Sequence, residues 1–336
     1  MVGLYLMSLV LPLIQTNLNE FLYFPFTCFN FSLAFPEFLC VHDQIDAFTD
    51  SPFAGNPAAI CLLEEEKNDE WMQSVAKEFN ISETAFLSRV DTVDAGNPDP
   101  SGTPRFHLRW FTPLVEVELC GHATLAAAHF LLTSGIVRNN TIEFLTKSGT
   151  LTAKRIDAVT KLKSSNTSNG NVREGLSIEL DFPSTIVSEC RPGEIPPITK
   201  TLNGASMVDV KKTAAGDLMV ELSSGKAVAD LEPQFDELKK WPERGVIITG
   251  LAPPESGFDF FSRFFCPNNG IDEDPVCGSA HCALAPYWSK KLHKRDFILY
   301  QASPRGGRLD LHLDEDTQRV LIRGEAVTIM RGSILV

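Results

Sequence analysis

The sequence predicts an α+β protein of two similar halves, each rich in strands and each organised round one buried helix. Three observations carry that prediction. Residues 123–132, Ala-Thr-Leu-Ala-Ala-Ala-His-Phe-Leu-Leu, are apolar nearly all round, and a helix without a polar stripe is a buried helix. That helix opens at Cys120-Gly121-His122, after a strand-like run at Phe106–Thr112. Its free N–H groups and dipole therefore point at a thiol and an imidazole and make an anion site. Finally, the arrangement recurs. Arg109-Trp-Phe-Thr-Pro113 matches Arg263-Phe-Phe-Cys-Pro267, and Cys120-Gly-His-Ala123 matches Cys277-Gly-Ser-Ala280. The shared order of strand, loop, Cys-Gly turn and small-residue helix favours duplication over chance. Two equivalent helices would then aim their N-termini across a cleft, with a carboxylate ligand as the natural occupant.

The elements follow in order. Asp46–Phe48 is extended, Asp50–Pro57 is turn-rich, and Ala58–Leu63 is an apolar strand. Asn68 caps a helix running to about Phe79, with Trp71, Val75 and Phe79 on one face. Ser82–Leu87 is a short strand, Asp91–Pro104 a Gly/Pro/Asp loop, and Arg105–Thr112 the strand before the central helix. That helix ends near Gly135, a good C′ residue, and is too short to span a bilayer. Strands follow at Thr141–Leu145, Thr150–Arg155, Leu176–Phe182, Leu218–Leu222, Val246–Thr249 and Phe258–Phe265. A polar loop falls at Lys161–Val172, a short helix at Pro233–Lys240, and the second buried helix at Ser279–Lys291. Strands at Phe297–Ala302, Leu309–Leu313, Val320–Arg323 and Ala326–Met330 close the chain.

Composition bounds the function. The 336 residues suffice for two domains, and with 43% hydrophobic and 22% charged residues they can bury real cores. A net charge of −13 without a basic patch argues against nucleic acid as a partner. Eight cysteines with neither disulfide-scaffold spacing nor a Cys-x-x-Cys pair point to a reduced, cytoplasmic protein. Residues 1–66 contain no Lys or Arg, and seven of the 23 phenylalanines fall between Phe21 and Phe38. Leu4–Ile14 is like the apolar part of a signal peptide but lacks a basic start and a clean cleavage site. Residues 1–40 are read as an extension outside the fold, and a membrane partner is not expected. No metal-ligand spacing, dinucleotide fingerprint or P-loop is present, so the chemistry is read as needing no metal and no cofactor.

Five blocks then fit a known pattern. They are Asp46-Ala-Phe-Thr-Asp with Gly55-Asn-Pro-Ala-Ala, Ser82-Glu-Thr-Ala-Phe, Phe111-Thr-Pro, Leu119-Cys-Gly-His-Ala-Thr-Leu-Ala-Ala-Ala, and Asp274-Pro-Val-Cys-Gly-Ser-Ala-His-Cys-Ala-Leu. In these blocks the chain resembles the PhzF (phenazine biosynthesis-like) isomerase family, from about residue 43 to the C-terminus. The resemblance implies a diaminopimelate epimerase-like fold: two pseudo-symmetric lobes, each a curved, barrel-like, mostly antiparallel sheet round a central helix. It implies an N-terminal lobe at 41–150, completed by the last strands at about 305–336, and a C-terminal lobe at 151–304. A homodimer is also expected on this ground alone.

The resemblance decides between readings of the site. From the residues alone, Glu83 is a strand glutamate facing water; the family's Ser-Glu-Thr-Ala pattern makes it the acid/base, suited by burial to a raised pKa. His122 on its own reads as a structural histidine; the family places it in the site, where the helix dipole favours the neutral ring. Asp274 is a loop carboxylate before a proline by itself, and an active-site residue by resemblance. Gly121, Gly278 and Ser279 are the expected carboxylate-binding helix ends, and Ser279 doubles as an N-cap. Asn56 is either a substrate contact or a turn former. Arg305-Gly-Gly307 makes a hairpin turn, and His129, His281 and His293 are structural or solvated. Cys120 and Cys277 stand where epimerase relatives carry two thiol bases, although the PhzF pattern usually has Thr at the second place. A helix N-terminus would lower both thiol pKa values; the plainer reading is a pair of small buried side chains, held slightly ahead. The main expectation is a cofactor-independent isomerase shifting a proton on a small carboxylate-bearing substrate. A two-thiol racemase or epimerase and a non-catalytic acid-binding protein are the alternatives.

Overall fold

The computed structural model describes residues 39–90, 102–156, 176–191 and 198–335. Residues 1–38 of the expected extension, residues 91–101 of the expected Asp91–Pro104 loop and the polar loop at Lys161–Val172 lie outside the described residues. The first half of the fold comprises β1 (Leu39–Ala47), β2 (Asn56–Leu63), α1 (Asp69–Phe79), β3 (Glu83–Arg89), β4 (Arg105–Phe111), β5 (Glu116–Val117), α2 (Gly121–Thr133), β6 (Thr141–Thr146), β7 (Gly149–Ile156) and β8 (Ser177–Pro183). The second half comprises β9 (Val187–Glu189), α3 (Ile198–Thr201), β10 (Met207–Thr213), β11 (Leu218–Leu222), α4 (Gly225–Ala229), α5 (Phe235–Leu238), β12 (Val246–Leu251), β13 (Phe260–Cys266), β14 (Ile271–Asp274), α6 (Gly278–Leu292), β15 (Asp296–Gln301), β16 (Gly307–Asp314) and β17 (Arg319–Leu335).

The pairing shows one unit built twice. β2 and β3 run parallel, β3 and β4 antiparallel, β4 and β6 parallel, and β6, β7 and β8 antiparallel. The same succession runs through β11, β12, β13, β15, β16 and β17. The short β5 and β14 lie on β4 and β13 at equivalent places. The boundary expected at residue 150 falls inside β7, whose ladder continues into β8. Sequence distance does not keep β8 out, because the cost of closing a loop grows slowly with its length.

β17 joins the two units. Its residues 319–325 pair with β8 and its residues 326–335 with β1, which closes the ring β1–β2–β3–β4–β6–β7–β8–β17 round α2. The sequence suggested two strands here, broken at Gly324. The break is instead a crossing point: a Cβ at Gly324 would lie 2.5 Å from the ring of Phe48, so only glycine lets the strand pass. β9 and β10 were not anticipated, since Lys211, Lys212 and the exposed Met207 and Val208 blur the alternation that marks a strand.

Local chemistry explains the helices. Asn68 caps α1 by accepting the Trp71 N–H at 2.9 Å, and Asn80 ends it in the left-handed region. The buried stripe is Met72, Val75 and Ala76; Trp71 and Phe79 flank it and pack on Phe86 and His42. Every residue of α2 from Gly121 to Leu132 is buried, as its unbroken apolar sequence requires. Burial of Leu125, Phe130 and Leu131 contributes about 1.5–3 kcal/mol each. In α6, Pro286 removes a helical donor, and the Thr185 N–H supplies the Cys282 carbonyl at 2.9 Å instead. Trp288 of α6 stacks on Phe260 and donates to Thr249 at 3.0 Å, tying the helix to β12 and β13. One hydrophobic core encloses α2 and α6 together. Among the described residues no helix is long and apolar enough to cross a membrane.

The two helices meet end to end at their first residues. A Cβ on Gly121 would lie 2.6 Å from the Cα of Gly278, and one on Gly278 would lie 2.7 Å from the Cα of Gly121. Gly121→Ala or Gly278→Ala forces the ends apart, and we expect each to destabilise the fold by about 1–3 kcal/mol. The midpoint of urea unfolding measures this; unchanged midpoints in both variants would show that the contact is no constraint.

Candidate active site

The two helix ends open on a small cleft of about 50 Å³. The first unit contributes Glu83, Thr112, Cys120, Gly121 and His122 to its walls. The second contributes Arg244, Phe264, Cys266, Asp274, Cys277, Gly278 and Ser279. Of the nine candidate site residues named from the sequence, all but Asn56 line this one space.

Glu83 is the first residue of β3, set beside Ala58 of β2 by parallel pairing. Its side chain is buried, and Oε2 has no hydrogen-bond partner among the described residues. Burial pushes its pKa well above the ordinary carboxyl value, and the charge of Asp274 pushes it further. Asp274 ends β14. Burial raises its pKa to about 6, against the pull of its Cys277 and Asn56 hydrogen bonds and of Arg244. Asn56, first residue of β2, donates one amide to Asp274 Oδ1 and to the Val276 carbonyl. Asn56 is thus a support for Asp274 and not part of the cleft wall.

A further layer holds these groups in place. Gln301 donates to the Asp274 carbonyl at 2.6 Å and accepts the Cys277 N–H at 2.9 Å, which fixes the turn between β14 and α6. Arg305 does more than form a hairpin. Its guanidinium donates to the carbonyls of Ala54 and Gly55 and to Asp46 Oδ1, while Asp46 Oδ2 accepts the Phe53 N–H. The turn that delivers Asn56 is clamped in this way from 250 residues away in sequence. His281 is structural, as expected: Nδ1 donates to the Cys277 carbonyl at 2.6 Å and Nε2 accepts from Ser262 at 3.0 Å.

Cys120 and Cys277 are the N-caps of α2 and α6, and no side chain caps either helix by a hydrogen bond. The Ala123 and Ala280 N–H groups face the cap thiols, and the N–H groups that open the helices, at Gly121 and Gly278, are donors beside the cleft. Ser279 is not the cap. It is the second residue of α6, with its hydroxyl 3.4 Å from Cys277 Sγ, because the helix begins at Gly278. The expectation of lowered thiol pKa values is overturned. Burial raises both well above the ordinary thiol value, and the charge of Asp274 adds to this at each. Desolvation outweighs the helix ends, so both are neutral thiols. His122 has Nδ1 3.4 Å from Cys120 Sγ and a buried Nε2 without a well-formed hydrogen bond. Burial lowers its pKa to about 3, the Pro57 carbonyl opposing more weakly, so the ring is neutral at working pH.

The duplication is visible in the walls. Arg109 forks Glu116 with Nε and Nη2, both at 2.8 Å, and Arg263 forks Glu273 with the same two nitrogens at 2.7 and 2.8 Å. Each glutamate stands four residues before the cap cysteine of its unit. The carboxyl chemistry is not duplicated. Pairing of Thr84 with Phe111 and of Val246 with Phe265 makes Gly245 the counterpart of Glu83. A Cβ at Gly245 would lie 2.5 Å from the ring of Phe264, which fills that space. Likewise Val117 stands at the place of Asp274. Sequence reasoning missed Arg244, Gln301 and the clamping role of Arg305; the only signal for Arg244 is its register beside Gly245, which the short repeat does not reach. Among the described residues no three His, Cys, Asp or Glu side chains converge as a metal requires.

Comparison with known proteins fits this geometry. The profile of the phenazine biosynthesis-like protein family, PhzC-PhzF, matches residues 45–332. An uncharacterized isomerase of Halalkalibacterium halodurans is 41% identical over 298 residues, covering 87% of this chain and 97% of that protein. The crystal structure of a PhzF-family phenazine biosynthesis protein from Enterococcus faecalis superposes with a TM-score of 0.73 at 35% identity, covering 89% of this chain and 100% of that one. A predicted epimerase from Pseudomonas aeruginosa shares the fold, with a TM-score of 0.66 at 21% identity over 88% of this chain and 99% of that one. With its duplicated, helix-centred barrels and a match along most of its length, the chain belongs to the phenazine biosynthesis-like, PhzC-PhzF, family.

Proposed function

We propose that the protein is an isomerase, independent of any cofactor, that shifts a proton on a small carboxylate-bearing substrate with Glu83 as the acid/base. The observation that carries this reading is the buried Glu83 carboxyl, unpartnered at Oε2, beside two uncapped helix N-termini. The uncapped N–H groups at Gly121 and Gly278, with the Ser279 hydroxyl, take the substrate carboxylate. At neutral pH Asp274 is ionised, and its charge together with burial keeps Glu83 protonated. Glu83 gives its proton to one carbon of an unsaturated acid, and the carboxylate so formed removes a proton from another. The enzyme returns to its starting state and no atom leaves the substrate. The neutral His122 orients substrate as a hydrogen-bonding group, not as a cation.

The two-thiol racemase is kept as a second reading because Cys120 and Cys277 occupy equivalent cap positions on the cleft. The neutral state of both thiols ranks it second. The proposal extends to a cytoplasmic homodimer with neither nucleic acid nor membrane as partner. Its lobes are β1 to β8 and β9 to the first part of β17, with the rest of β17 closing the first lobe.

Incubation of small carboxylic acids in deuterated water tests the assignment. We expect deuterium at carbon in at least one acid, and a loss of about 10²–10⁴-fold in Glu83→Gln. No uptake across a broad panel, or uptake unchanged in the variant, would sink it. The second reading predicts the reverse pattern, in which Cys277→Ser abolishes exchange and Glu83→Gln leaves most of it. The pH profile is a separate check. Asp274 loses its charge as pH falls through about 6, so kcat should fall below that pH, and Asp274→Asn should remove this acid limb. A limb that persists in Asp274→Asn belongs to another group.

A further inference from the structure

We propose that Arg244 is the specificity-determining residue of the cleft and that the substrate carries a second carboxylate, which Arg244 binds. The inference rests on reading the cleft as the substrate site. Among the described residues that line it, Arg244 is the only Lys or Arg, and His122 is neutral. The residue stands just before β12 with its side chain 35% exposed.

Arg244 is held rigidly but not saturated. Its Nη2 donates to Asp217 Oδ2 at 2.6 Å, and its guanidinium lies over the Phe264 ring at 5.6 Å. Asp217 is buried and fixed in turn by Thr213, and the Arg244 N–H donates to the Gly216 carbonyl at 3.0 Å. The other two arginines of the duplicated walls commit both Nε and Nη2 to one carboxylate. Arg244 commits Nη2 alone, and its Nε is buried without a partner. Nη1 has no hydrogen-bond partner among the described residues, so this rigid guanidinium at the cleft wall keeps N–H groups for a carboxylate.

Its position in the duplication gives the geometry meaning. Arg244-Gly245 occupies the register of Ser82-Glu83, so the second unit places a cation at the position of Ser82, one residue before the counterpart of the proton carrier. A substrate lying across the cleft with its reacting carbon at Glu83 turns its far end to Arg244. The helix ends take the carboxylate next to the reacting carbon, and Arg244 takes the distant one. The substrate class is therefore a small dicarboxylic acid.

Binding to protein carrying Glu83→Gln tests this apart from turnover. Isothermal titration would compare the dicarboxylates from malonate to adipate with their half-amides, which keep the shape and lose one charge. We expect at least one diacid to bind about tenfold to a hundredfold more tightly than its half-amide. Adding Arg244→Gln should abolish the difference. Adding Arg244→Lys, which keeps the charge beside Asp217 but not the fork, should cut it by about tenfold. The proposal is overturned if no diacid binds, if half-amides bind as tightly throughout, or if the preference is undiminished in either folded variant. Deuterium exchange is scored separately on protein with native Glu83. Preference without exchange removes the isomerase reading and leaves the dicarboxylate site standing; exchange without preference does the opposite.

Discussion

Everything in the cleft depends on the contact between Gly121 and Gly278. Two buried helices from two copies of one unit meet at residues that have no side chain, and a single carbon on either would overlap the other backbone. That closeness brings both sets of uncapped N–H donors to one place. It also sets the cap cysteines, His122 and Ser279 round the same space. The barrels serve this contact: α2 is buried from Gly121 to Leu132, so its axis cannot tilt without disturbing the core on every side.

Desolvation then decides the protonation states. Helix ends favour negative charge by roughly 0.3–1 kcal/mol at exposed sites. Burial acts in the opposite sense on every acidic group here and wins, so Cys120, Cys277 and Glu83 hold their protons and His122 gives its proton up. Asp274 is the exception because it is supplied with hydrogen bonds. Asn56 and Cys277 donate to it, and Asn56 is itself delivered by a turn that Arg305 clamps. Two carboxyls in one cleft are thus driven apart in pKa, the condition for one to carry a proton while the other holds charge.

The duplication explains both what is symmetric and what is not. Structural parts remain paired: the Arg-Glu forks, the cap cysteines and the glycine contact. The two carboxyls have no such partner, with Glu83 facing Gly245 across the pseudo-symmetry and Asp274 facing Val117. Phe264 fills the room that a second acid would need.

The sequence by itself determined the two buried helices, their Cys-Gly openings, the repeat and most of the strands. These are local facts: an unbroken apolar run allows no exposed face, and small residues at a helix start allow close approach. Family resemblance added Glu83, whose role the residues alone did not support. Only the tertiary structure decided the rest. The 17 residues of β17 form one strand because Gly324 passes the Phe48 ring, and no sequence pattern announces that. Neutral thiols follow from burial, which sums contributions from both units, whereas a helix terminus can be read from a dozen residues. Arg244 and Gln301 escaped notice, and Arg305 was read only as part of a hairpin turn, because each acts on residues remote in sequence and long-range pairing leaves no local signature. Helices could be read from neighbours in the chain; the chemistry is set by neighbours in space.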